Sequence, residues 1–138
     1  MSEDIATEIR AARGLDVRCG YSTHPALTRL AVEFGLAADS EYYQEIDAAA
    51  ARRHLELILH HDLAYRVQHM PIARAAELTD RFLAPFGTER VRYFTNATDF
   101  DATGQNWAWN PVTTATFDTG VLVVGPQLSG CLWVEEED

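Results

Sequence analysis

The sequence predicts an α+β fold: a single domain over residues 1–138, with a mixed sheet of about five strands, helices packed on at least one face, and a C-terminal β-hairpin. Three observations carry this. Apolar and polar residues alternate with period two in short segments, and apolar residues at helical spacing fill the stretches between them. Two apolar, β-branched runs then close the chain around a turn of four to six residues. With 138 residues and 47% hydrophobic content, the chain can bury one sizeable core, and it carries neither an internal repeat nor a linker.

Taken in order, Ser2 is the expected N-cap of a short helix over Glu3–Arg13, which has acids in its first turn, Ile5 and Ile9 four apart, and Gly14 as its stop. Leu15, Val17, Cys19 and Tyr21 alternate against Asp16, Arg18 and Gly20, the pattern of a half-buried strand. Ser22 and Thr23 are cap candidates for the next helix. Pro25 stands near its first position, Leu27, Leu30, Ala31 and Phe34 share a face, and Gly35 ends it.

From Asp39 to about His61 the chain is Ala-rich and helix-forming, with Asp39, Ser40 or Asp47 as starting points, and reads as one helix or two. Leu63, Tyr65, Val67 and His69 alternate again, so a second strand is expected before Pro71. Ile72, Ala75, Leu78, Thr79, Phe82 and Leu83 then have helical spacing up to Pro85–Gly87, and Glu89–Thr95 is a further strand. Residues 96–111 are rich in Asn, Asp, Thr and Gly without sustained period, and long for an idle connection. "TGVLVVG" and "GCLWVEE", separated by "PQLS", form the hairpin.

Composition bounds the function. The net charge is -10, and the terminal "EEED" accounts for only four of those charges, so the body of the chain is itself acidic. Such a surface repels phosphate backbones, so nucleic acid is not an expected partner, whereas a basic protein is. All eleven basic residues are Arg, which with the abundant Ala suits a GC-rich bacterial genome. The amino terminus carries acids where a secretory signal carries cations, and no apolar run approaches membrane-spanning length; the expectation is a cytoplasmic protein that does not enter a membrane. Cys19 and Cys131 lack any paired spacing and read as reduced core residues.

Asp118-Thr119-Gly120 resembles the catalytic loop of aspartic proteases, but over three residues only. Val121 follows where that family places Ser, Thr or Ala, and eighteen residues remain after Gly120, too few for the rest of the barrel. A strand is the expected role. His54, His60, His61 and His69 cluster in sequence, yet His54 and His61 lie seven apart and His60 and His61 point in different directions on a helix, so no metal is expected. "DFDATG" over 99–104 opens like a calcium loop, but position twelve is Asn110 and Pro111 follows it. No cofactor is expected, and no nucleophile motif or phosphate loop is present in the sequence.

Trp107 and Trp109 face the same way in an extended segment, with Phe100 nearby and acids beside it. Asp99, Phe100, Asp101, Trp107 and Trp109 are therefore the candidate binding residues, aromatic anchors rimmed by charge that steers a cationic partner. The expectation is a small acidic protein-binding module, like bacterial immunity proteins in composition, acting as an inhibitor of a basic toxin such as a nuclease. The alternative is a small enzyme whose pocket draws on His60, His61, Tyr65 and His69 with residues 99–106. An open sheet edge would also allow a homodimer.

Overall fold

The computed structural model describes residues 4–14, 16–63, 65–98 and 108–137. Its elements run α1 (Ile5–Arg13), β1 (Arg18–Ser22), α2 (Leu27–Glu33), β2 (Gln44–Ile46), α3 (Ala48–His60), α4 (Ile72–Leu83), β3 (Arg92–Thr95), β4 (Ala97–Thr98), β5 (Ala108–Trp109), β6 (Phe117–Val124) and β7 (Ser129–Glu136). The five-stranded sheet has the order β1-β7-β6-β3-β2, and β4 and β5 form a separate small ladder. All the pairings in the five-stranded sheet are antiparallel, so the mixture of directions allowed for by the sequence does not occur among the described residues. No described helix is long and apolar enough to cross a membrane.

The sheet is buried on both sides, which is why its central strands read as unbroken apolar runs. Val121, Val123, Leu132 and Val134 face a core shared with α1, α3 and α4, while Leu122, Cys131 and Trp133 face a second core with Leu30 and Ala31 of α2, Leu36, Tyr43 and Val112. Alternate residues of β6 and β7 thus serve different cores. The hairpin turn is Gly125–Leu128, the predicted length. At Gly120 the two strands approach so closely that a Cβ would lie 2.6 Å from the Cα of Trp133, so the Gly of the Asp-Thr-Gly triplet answers to sheet packing.

Several elements start elsewhere than the sequence suggests. Ser2 lies outside the described residues, and Asp4 caps α1, accepting from the Ala6 amide at 3.0 Å. Ser22 is the last residue of β1 rather than a helix cap, its hydroxyl bonded to Glu33 at 2.6 Å, and α2 begins at Leu27 without a side-chain cap. Asp47, one of the expected starting points, caps α3. The polar Gln44–Ile46 segment, expected as helix, is instead an edge strand on β3.

Where a strand is predicted over 63–70, the described residues form a loop closed by Asp62. The Asp62 carboxylate accepts the amides of Tyr65 (2.9 Å) and Val67 (3.1 Å), Arg66 sits at φ 58°, and the pairing shrinks to one bridge, His61 with Gln68. An Asp that satisfies following amides offers the backbone an alternative to a ladder, and it prevails over period-two alternation here.

A chain of buried polar groups joins the layers. Asp118, wholly buried, accepts from Trp133 Nε1 (3.2 Å), Asn96 Nδ2 (3.0 Å), Thr113 Oγ1 (3.1 Å) and the amide of Val112 (3.3 Å). Burial raises its pKa, and the Trp133, Thr113 and Val112 donors oppose that rise. Asn96 also donates to Asn110 O at 2.8 Å, and its Oδ1 accepts from Thr119 Oγ1 at 2.8 Å. Because the Thr119 proton is spent on Asn96, His54 Nε2, 2.9 Å from that hydroxyl, must be the donor, which fixes the neutral tautomer.

Two outcomes follow from this network. Asp118→Asn, nearly isosteric, turns an amide N–H₂ toward groups that are themselves donors and should destabilise the protein by about 2–4 kcal/mol in denaturant melts, although it removes a buried charge. Desolvation lowers the His54 pKa from 6.5 to about 4, so in that window the unfolded chain binds a proton that the native state refuses. This contribution is complete above the unfolded value and lost as pH falls toward the folded one, by about 3 kcal/mol. Unfolding free energies of wild type and His54→Gln at pH about 7 and about 4 should show that difference vanish from the variant.

Candidate functional site

Three segments distant in sequence converge at one end of the sheet: the turn after α1, the 61–70 loop and the carboxyl end of β7. Together they enclose an open cleft of about 250 Å³ lined by Arg13, Asp16, Asp62, Tyr65, His69 and Glu135–Glu137 among others. A smaller hollow beside Ala115 shares Asp16 and the three glutamates, extending the acidic wall. Two wider hollows lie on α2 and between α3 and α4, but their carboxylates are already paired, Glu33 with His24 and Asp80 with Arg52.

Arg13 forms the floor of the cleft. The last carbonyls of a helix lack intrahelical donors, and Arg13 Nε, on the last residue of α1, donates to one of them, Ile58 O of α3, at 2.6 Å. Its other arm pairs with Glu136, whose second oxygen accepts the Leu63 amide at 2.7 Å. This buried ion pair therefore ties α1, α3, β7 and the 61–70 loop together. Beside it, Arg18 pairs with Glu135 at 2.6 Å.

Asp16, Asp62 and Glu137, the remaining carboxylates of the cleft, are held differently. Asp16 is exposed and makes no hydrogen bond or ion pair to any described residue. Glu137 accepts only from Thr116, through its amide (3.1 Å) and hydroxyl (2.7 Å). Asp62 is held below the usual carboxylate range by the Tyr65, Val67 and Arg66 amides and the charge of His69, against desolvation that pushes it up, so it stays anionic. Asp16, Asp62 and Glu137 thus line one opening whose Arg13 guanidinium is already engaged by Glu136 and the Ile58 carbonyl, and the lining is acidic on balance.

The histidines of the alternative reading divide. His60 Nδ1 donates to Met70 O at 2.7 Å and His61 Nδ1 to Asp62 O at 2.9 Å, bonds that brace the loop. Tyr65 and His69 do line the cleft. Partial desolvation and then Arg13 depress the His69 pKa, with Asp62 and Glu136 opposing them. Among the described residues, no three His, Cys, Asp or Glu side chains are grouped to hold a metal ion. Cys19 and Cys131 are buried free thiols on opposite faces of the sheet, the first pushed up to about 12 by burial and the second also raised.

Of the predicted aromatic-acidic segment, Asp99, Phe100, Asp101 and Trp107 lie outside the described residues, as does 99–106 of the enzyme alternative. Trp109 is half-buried in β5, its backbone paired with Ala97 and its ring 5.3 Å from that of Phe117. The sequence reading missed Arg13, Asp16, Asp62 and the separate roles of Glu135–Glu137. The terminal acids registered only as charge, and nothing in their spacing tells which of them an arginine from a distant helix will neutralise.

Arg13→Met should destabilise the protein by about 3 kcal/mol, since it strands Glu136 and leaves the Ile58 carbonyl without its guanidinium donor. A double-mutant cycle with Glu136→Gln, followed by denaturant unfolding, should return a coupling of more than about 1 kcal/mol. Comparison with known proteins gives no match: no family model, no curated protein and no solved structure aligns significantly with this chain.

Proposed function

We propose that the protein is a small acidic protein-binding module of a bacterial cytoplasm whose partner is a basic protein, an immunity-type inhibitor of a basic toxin such as a nuclease being the form that best fits its charge. The observation that carries this reading is the distribution of charge. Most of the arginines are engaged with carboxylates or carbonyls of the chain itself, several of them at its surface, while the carboxylates of Asp16, Asp62 and Glu137 gather around one open cleft. A negative field focused on a concave surface accelerates encounter with a cationic partner and discriminates against acidic ones.

A second reading, a small enzyme, draws support from His69 and Tyr65 lining that same cleft beside Asp62. His69→Ala separates the two: it should leave affinity for a basic partner nearly unchanged, whereas an enzyme that uses this imidazole would lose its turnover.

Affinity purification from the native host should recover a stoichiometric protein of basic isoelectric point. Its association rate should fall by about tenfold or more as ionic strength rises from about 0.05 M to about 0.5 M. Recovery of an acidic partner, or binding indifferent to salt, would overturn the proposal.

A further inference from the structure

Among the described residues the exposed large hydrophobic side chains are Val32, Tyr42, Tyr65, Val67 and Ile72, and three of these five fall within residues 65–72. Tyr65 and Val67 are 69% and 58% exposed. The backbone that carries them is tied down. Asp62 accepts both of their amides, its own amide donates to Val67 O at 3.0 Å, and His69 N donates to His60 O at 2.8 Å, so the loop is closed at several points. Ile72 continues the core stripe of α4, three residues before Ala75 and seven before Thr79, at a turn of the helix that leaves it half exposed.

Exposed apolar side chains gain nothing for the free protein, but on a backbone already hydrogen-bonded they contribute buried area on binding at a reduced ordering cost. We infer that the exposed Tyr65, Val67 and Ile72 side chains, interleaved with the polar Arg66, Gln68 and His69, form the docking surface for a cationic polypeptide, an arginine of which enters the adjoining cleft while a neighbouring apolar residue packs on Tyr65 and Val67. This rests on the protein-binding reading above and adds the place and chemistry of the contact.

Charge complementarity selects the occupant. Tyr65 belongs at once to the apolar surface and to the wall of the cleft, so any chain lying on it brings its next side chain toward Asp16, Asp62 and Glu137. An acidic segment would meet the like charges of Asp16, Asp62 and Glu137 there, while the Arg13 guanidinium of the same cleft is already taken by Glu136. An arginine satisfies both parts of the site, because its guanidinium takes several carboxylate bonds while its plane stacks on an aromatic face.

The test is a titration of the isotopically labelled full chain with the peptide Ac-Arg-Leu-Arg-Leu-NH₂, followed by backbone amide shifts. The largest shifts should fall on residues 61–72, 135–137 and Asp16. Tyr65→Ala with Val67→Ser should weaken binding by at least about fivefold, and Asp16→Asn, which alters charge alone, should weaken it measurably. Both variants change exposed side chains, so their amide spectra should otherwise match wild type. Shifts spread evenly over the acidic surface, or affinity unchanged in the Tyr65 and Val67 variant, would overturn the inference. Peptide bound at this face, when no basic protein copurifies from the host, would uphold the surface and overturn only the functional proposal. A basic partner indifferent to the Tyr65 and Val67 changes would do the reverse.

Discussion

The buried Asp118 carboxylate is the constraint on which the fold turns. It sits on β6 with Trp133 of β7 bonded to one oxygen, Thr113 of the preceding segment to the other, and Asn96 from the corner after β3 alongside. Removing such a charge from water is costly, and the arrangement persists only because several donors arrive together. A slip of one residue between β6 and β7 would exchange their two faces, carrying Trp133 away from Asp118 and putting Val121 where Leu122 belongs. The polar network thus specifies the register of a hairpin whose apolar side chains, buried on both faces, would tolerate other pairings.

Fixing that register fixes the cleft. β7 enters the acidic end of the molecule beyond Val134, a core residue, and Glu135 and Glu136 alternate, one toward Arg18 and the other toward Arg13. Glu137 follows and reaches back to Thr116, just before β6 begins. Chain order alone therefore delivers two neutralised glutamates and one free one to adjacent positions, and the difference among three identical side chains lies in which arginine can reach each.

Sequence periodicity was informative wherever burial on a face decided the structure. α1 and α4 are legible because their apolar residues pack at the period of their own element, the hairpin because its β-branched runs suit strands buried on both faces and α3 through its Ala-rich composition, whereas the 96–111 stretch, read as irregular, holds β4 and β5 in most of its described part. Gln44–Ile46 escaped notice because its strand state comes from pairing with Tyr93–Thr95, not from its own side chains. The 63–70 segment misled for the opposite reason, since its alternation is real but its apolar members face water. The cleft was illegible because Arg13, Asp16, Asp62 and Glu137 come from three remote segments, and whether each charge is neutralised is a tertiary property.

The exclusive use of arginine bears on the same point. Arg10 Nε and Nη2 take the carbonyls of Val17 (3.0 Å) and Cys19 (2.9 Å), on the outer edge of β1, which hinders another strand from pairing there. Arg18 reaches both Phe34 O and Glu135, and Arg13 both Ile58 O and Glu136, while Arg74 and Arg81 together enclose Glu8 and hold α1 against α4. In each case one flat, multidonor group spans a carbonyl and a carboxylate, or two acceptors at fixed separation, which a single ammonium point charge does less well. Most of the cations are consequently committed to joining elements of the fold. The acids that outnumber them are left over at the surface, and where the chain ends and the 61–70 loop closes, that excess gathers beside the apolar side chains the fold has no means of covering.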